Sequence, residues 1–120
     1  MSKRLLRLLL SNAGCPGKTT YQGTGPINAT FDAKDGLVIR GLLVNLTSTP
    51  TAEEDFTIRY QIPAEGPQFD TLRFQQPMDG VKSIVIDDPI FVSKGDRLVF
   101  EWDNSENIPW GITLIHGSNT

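Results

Sequence analysis

The sequence predicts an all-β protein, in which a single antiparallel β-sandwich or jelly-roll-like domain follows an extended N-terminal arm. A chain of 120 residues with 38% hydrophobic content suits one domain with one core. Eleven Gly and eight Pro are spread along it, which favours short strands joined by turns over helices. Roughly eight short apolar runs separated by turn residues then predict a sandwich or jelly roll.

The most regular strand pattern lies within residues 95–112. In residues 97–103 the side chains alternate, so that Leu98, Phe100 and Trp102 fall on one face and polar side chains dominate the other. This pattern predicts a half-buried strand whose apolar face contributes to the core.

Other apolar runs are bounded by turn signals such as Asp35-Gly36 and Asp79-Gly80. They predict strands over residues 27–31, 37–46, 56–62, 69–74, 82–86, 90–92 and 112–116. The run 37–46 is apolar on both faces, so we expect a central strand that is covered twice, or covered once by the core and once by a partner. Gly41 within it suggests a bulge or a close backbone approach.

Charge separates the start of the chain from the rest. Residues 1–18 contain four basic residues and no acid, giving +4, whereas the other 102 residues contain 7 basic and 14 acidic residues, giving −7. We predict an N-terminal basic arm and linker over residues 1–26 and a β-sandwich domain over residues 27–120. The arm residues expected to bind a partner are Lys3, Arg4, Leu5, Leu6, Arg7, Leu8, Leu9 and Leu10.

The leucine-rich part of the arm, residues 4–10, fits either a short helix or a strand, and its length favours a strand. It could pair with a neighbouring subunit or lie on its own domain. The leader resembles a lipoprotein signal because small residues precede Cys15, but Arg7 interrupts its apolar run. We therefore expect synthesis without export. A single Cys excludes an internal disulfide, and we expect no transmembrane segment.

The candidate catalytic residues do not form a recognisable active site. His116 is the one His in the chain, so a catalytic triad, a Cys-His pair with Cys15, or a blue-copper site lacks partners. The loop 103–107 has oxygen ligands but lacks EF-hand spacing, and no zinc pattern or phosphate loop is present. We predict no enzymatic activity, no catalytic residue, no metal and no cofactor.

Nucleic acid and membranes are not expected as partners, whereas Trp110 is a candidate for surface binding. A net charge of −3 argues against nucleic-acid binding, and no membrane contact is expected. Trp110 is predicted to lie in a loop, where an aromatic face could stack on a sugar ring.

Four segments carry a resemblance to a known family. The segments TPTAEEDFTIRYQI, FDTLRF, PIFVSKGDRLVFEWDN and WGITLIHG resemble small all-β virion structural proteins of tailed bacteriophages over residues 42–115. The resemblance implies a head decoration or cement protein of the virion, made in the host cytoplasm, that attaches through its arm. Its partners would be the major capsid protein or other virion subunits, and it would form a homo-oligomer. The alternatives are a carbohydrate-binding module or an accessory protein of the tail or adsorption apparatus.

Overall fold

The computed structural model describes residues 17–65 and 69–118, which form two antiparallel β-sheets packed face to face. The predicted fold class, an antiparallel β-sandwich, is confirmed. The strands are β1 Lys18–Thr24, β2 Ile27–Asp32, β3 Leu37–Leu46, β4 Asp55–Gln61, β5 Asp70–Pro77, β6 Ser83–Ile86, β7 Ile90–Val92, β8 Arg97–Trp102 and β9 Pro109–Ser118, with a 3₁₀ turn at Pro63–Glu65.

The strands pair in a nested order. Sheet A has the order β1-β9-β3-β6, with β7 also paired to β3, and sheet B has the order β2-β8-β4-β5. The first strand therefore pairs with the last, the second with the second last, and β4 with the next strand β5. This nesting of antiparallel pairs is the topology of a jelly roll.

The core lies between the sheets and follows the alternation of the sequence. Leu98, Phe100 and Trp102 all point into it from β8, as predicted, and are at most 3% exposed. From sheet A, Leu42 and Val44 of β3 face the same interior. Residue pairing between β3 and β9 shifts between Ile39 and Gly41, which is the irregularity that Gly41 suggested.

Two predictions about the chain's organisation differ from the structure. Residues 18–24, expected in the linker, form β1, because β9 supplies a complete backbone partner to a segment that is polar and lacks an apolar face of its own. Strand β9 begins at Pro109, so Trp110 lies in a strand and not in a loop. The predicted strand over residues 4–10 lies outside the described residues.

Within residues 17–65 and 69–118, no helix has the length and apolar character needed to cross a membrane.

Candidate functional site

An aromatic cleft lies between edge strands β5 and β7, which belong to different sheets. We use this name for the cleft of about 270 Å³ that is lined by Tyr60, Ile62, Phe69, Thr71, Arg73 and Phe91. Phe69 is 40% exposed and Phe91 is 62% exposed, although both are large and apolar. The cleft therefore leaves two phenylalanine rings in contact with water.

Tyr60 fixes one wall of the aromatic cleft. Its hydroxyl donates a hydrogen bond to Asp96 Oδ2 at 2.6 Å and accepts one from the backbone N–H of Ser93 at 3.1 Å. Burial, and then the hydrogen bond to Asp96, raise the pKa of Tyr60 above its ordinary value. These contacts tie the end of β4 to the turn between β7 and β8, so this wall is held in place within a single copy of the chain.

The side chains of the aromatic cleft are of the kind that dominates protein interfaces. Aromatic residues and Arg are enriched at interface centres, and Arg73 stands beside Phe69 and Phe91 here. Leu72, 44% exposed on the same strand, is paired with Arg59 of β4 and does not line the cleft. Of the exposed large apolar side chains among the described residues, Phe69 and Phe91 therefore line the cleft, whereas Leu72 does not.

His116 lies in a second cleft, at the end of the sandwich where β1 begins. Its Nε2 atom is 2.8 Å from Thr19 Oγ1, and its ring packs against Phe31 with ring centres 5.3 Å apart. Its backbone N–H donates to the carbonyl oxygen of Gly17 at 3.0 Å. A side-chain carbon at Gly17 would lie 2.6 Å from the imidazole ring, so glycine permits this close packing.

The burial of His116 predicts a pH dependence of stability. Burial lowers its pKa below the ordinary value of 6.5, so the folded protein binds a proton less readily than the unfolded chain. The free energy of unfolding should therefore be highest above pH 6.5 and should fall as the pH drops through 6.5 towards the lower folded pKa. Thermal melts at pH 7.5 and 5.5 measure this loss, which His116→Gln should reduce. An equal loss in both proteins would contradict the assignment.

The acidic segments near residues 53–55 and 103–107 are joined by hydrogen bonds. Glu106 accepts from Thr51 N, Thr51 Oγ1 and Ala52 N at 2.7 to 2.9 Å, and these bonds lower its pKa. Glu54 accepts from Ser105 N at 3.1 Å. The carboxylates therefore fasten the β3–β4 connection to the β8–β9 connection.

Asn104 is the buried centre of the β8–β9 connection. It is 1% exposed, and its amide donates to the carbonyls of Gly25 and Ile108 and accepts from Ile108 N. Its backbone has a positive φ of 46°, which asparagine tolerates better than most residues. This side chain links the β1–β2 turn to the start of β9.

Trp110, the predicted surface-binding residue, is half-buried and packs against the core. Its indole N–H donates to the carbonyl of Gly25 at 2.9 Å, and its ring lies close to Gly23. The rest of the ring lines a shallow cleft with polar side chains, among them Gln22 and Asn45. Its contacts explain a structural role, and sugar binding stays a prediction.

The other predicted site residues are the arm residues from Lys3 to Leu10, which lie outside the described residues. In the part of the chain that is described, no group of three or more His, Cys, Asp or Glu is placed to hold a metal ion. The sequence analysis does not predict the aromatic cleft. Phe69 and Phe91 both fall in predicted strands, and no pattern in the neighbouring residues indicates that their side chains are exposed.

Comparison with known proteins finds similarity at the level of solved structures. No family model and no curated protein matches the chain. Among solved structures it is similar to the core of the Drosophila protein NLP, which is described in terms of pentamer formation and histone binding. The TM-score is 0.49, the identity is 11%, and the alignment covers 82% of this chain and 96% of that chain.

The expected role in a phage particle is wrong. The solved structure reported above is a Drosophila core that is described in terms of pentamer formation and histone binding, and no family model or curated protein points to a phage virion protein. The physical reason is that the motifs carrying the resemblance encode strands and turns of a jelly roll, and one fold serves many functions. The expected partner, a major capsid protein, is not supported either.

Proposed function

We propose that this protein is a non-enzymatic interaction domain that forms homo-oligomers, with the aromatic cleft as the contact between copies. The observation that carries the proposal is the exposure of Phe69 and Phe91 in one cleft with Arg73. Oligomer formation is stated for the Drosophila core, but the proposal for this chain is based on its own cleft.

The size of the aromatic cleft favours a side chain over a small molecule as its occupant. At about 270 Å³ it is below the roughly 300 to 1,000 Å³ of ordinary ligand pockets. Phe91 lines the cleft and keeps most of its surface exposed. Each copy therefore offers both a cavity and an aromatic side chain that can enter one, which is the self-complementarity that a two-fold contact requires.

The strands that flank the aromatic cleft strengthen this proposal. Strand β5 ends the order of sheet B, and β7 lies beside β3 on the side of sheet A opposite β1 and β9. Edge strands present unpaired backbone groups that a second chain can reach. Contact with a second copy would cover such an edge as well as the phenylalanine rings.

The test is the self-association of Phe69→Ser and Phe91→Ser, singly and together. A buried aromatic anchor contributes about 2 kcal/mol or more to association, so each substitution should raise the dissociation constant about thirtyfold. Sedimentation velocity over a range of concentrations measures this constant. Because both rings are exposed in the single copy, the circular dichroism spectrum should not change.

Leu72→Ser is the matched control, since Leu72 is 44% exposed, close to the 40% of Phe69, and lies three residues after Phe69 but outside the aromatic cleft. It should leave the dissociation constant unchanged. If Leu72→Ser weakened association as much as Phe91→Ser, the exposed apolar surface in general would be responsible and the specific role of the cleft would be refuted.

A further inference from the structure

The shallow cleft beside Trp110 is a groove on the outer face of sheet A, turned away from the core. Strand pairing places Gln22 of β1 and Asn45 of β3 on either side of Gly111 of β9. The next residue of β9, Ile112, belongs to the core, so Gly111 and the two amide side chains face the solvent. We call this cleft the polar groove; its walls are Gln22, Thr24, Asn45 and Thr47, and its floor is Pro109 and Gly111.

Neither the backbone nor the packing around Gly111 requires glycine. Its φ lies outside the left-handed region, and a side-chain carbon added there would meet Tyr21 O at 3.9 Å, an ordinary van der Waals distance. A carbon added at Gly23, by contrast, would lie 3.0 Å from the ring of Trp110. Glycine inside a strand lowers stability and is typical of places where a ligand or another backbone comes close. The missing side chain at position 111 therefore keeps the polar groove open and is not needed by the fold.

The walls of the polar groove can donate and accept hydrogen bonds. A primary amide has two donors and an acceptor oxygen, and a hydroxyl has one donor and two acceptor lone pairs. All four wall residues are exposed, so these groups can reach a ligand. No described residue that lines the groove carries a charge, whereas a charged ligand would require an opposite charge beside it. The groove is therefore suited to an uncharged ligand with many hydroxyl groups, which is the chemistry of a neutral sugar.

The shape of the polar groove favours a compact ligand. Its volume is about 610 Å³, within the roughly 300 to 1,000 Å³ of ordinary ligand pockets. Its walls stand on strands whose backbones are about 10 Å apart, so a helix about 10 to 12 Å wide would not enter between them. Thr113, the next outward residue of β9, lies between Thr20 and Leu43 and closes one end. A short groove of this kind fits sugar rings better than an extended peptide.

We propose that the polar groove binds a neutral sugar of one or two rings, with the amides and hydroxyls of its walls as hydrogen-bonding groups and Gly111 beneath the ring. Recognition by hydrogen bonds does not depend on stacking against Trp110, whose indole N–H is bonded to the carbonyl of Gly25. None of the described residues lines both this groove and the aromatic cleft. The test of sugar binding is therefore independent of the test of self-association.

Titration of the full chain with sugars, followed by nuclear magnetic resonance, tests the proposal. Glucose, galactose, mannose, N-acetylglucosamine and lactose, each at millimolar concentrations, are the probes. At least one of them should shift the backbone amide signal of Gly111 and the side-chain amide signals of Gln22 and Asn45, and the shifts should saturate. No shift with any of these probes, or shifts confined to residues outside the groove, would overturn the proposal.

Gly111→Val fills the floor of the polar groove. It should abolish the sugar-dependent shifts of Gln22 and Asn45. Because valine favours strands more than glycine does, the melting temperature should stay the same or rise. Gly36→Val is the matched control, since the nearest heavy atom to a side-chain carbon added at Gly36 lies at 4.0 Å and Gly36 is outside the groove. It should bind sugar normally. Unchanged sugar binding in Gly111→Val would show that no ligand lies over residue 111 and would refute the site.

Asn45→Ala is a second variant, which leaves the floor of the polar groove intact. The loss of one uncharged hydrogen-bonding side chain should weaken sugar binding about fivefold. Asn28→Ala is its control, because Asn28 is equally classed as exposed but lies on β2 in the other sheet, and it should have no effect. Equal effects of the two substitutions would contradict the site. Shifts of the groove signals that follow protein concentration without sugar would make the groove a contact between copies and would also overturn the proposal.

Discussion

Trp102→Ala is expected to lower the free energy of unfolding by about 3 to 5 kcal/mol, the range for a large aromatic side chain removed from a packed core. Trp102 ends β8, pairs with Ile27 of β2 and is 3% exposed. Its removal would leave a cavity between the two sheets that the rigid strands around it cannot close. Chemical denaturation followed by far-ultraviolet circular dichroism measures the change, and a loss below about 1 kcal/mol would contradict the core position of Trp102.

Trp102→Phe is the informative companion substitution. Among the described residues, the buried indole Nε1 of Trp102 has no hydrogen-bond partner, and an unsatisfied buried donor costs free energy in the folded state. Phenylalanine keeps most of the packing and removes that donor. We therefore expect Trp102→Phe to lose less than half of the stability that Trp102→Ala loses. Equal losses would show that Nε1 is satisfied in solution.

Asn104→Ala is the second substitution with a large expected effect. It would leave the buried Ile108 N–H and the Ile108 carbonyl without their side-chain partner, and Gly25 would lose one of its two donors. Each buried group that loses its partner costs about 1 to 3 kcal/mol. The total loss should be about 3 kcal/mol, measured by the same denaturation experiment.

Asn107→Ala is a matched control for Asn104→Ala. Asn107 also has a positive φ, 54° against 46° for Asn104, but it is exposed. Both substitutions carry the backbone cost of placing alanine at positive φ, and their difference isolates the buried hydrogen bonds. If both variants lost the same stability, the backbone conformation alone would explain the role of Asn104.

Strong local patterns explain which parts of the fold could be predicted. Strand β3 was predicted with its bounds, and β8 with its buried face, because their apolar residues recur at strand spacing. Strand β1 was missed because its sequence KTTYQGT has no apolar face, and its pairing comes from β9, roughly 90 residues away. No local pattern encodes a contact at that separation.

The same limit applies to the sites. The side chain of Asn104 reaches Gly25, 79 positions earlier, and that of Glu106 reaches Thr51, 55 positions earlier. The acidic and polar composition of these loops is visible in the sequence, but the hydrogen bonds between them are not. The aromatic cleft likewise forms only when β5 and β7 are brought side by side by the jelly-roll topology.

The mass of the native full chain in solution tests the central claim most directly. Sedimentation equilibrium at several concentrations should show a reversible species heavier than the 13.3 kDa monomer, and this species should be lost in the Phe69→Ser, Phe91→Ser double variant. A single 13.3 kDa species at every concentration would contradict the proposal that the aromatic cleft joins copies of this protein.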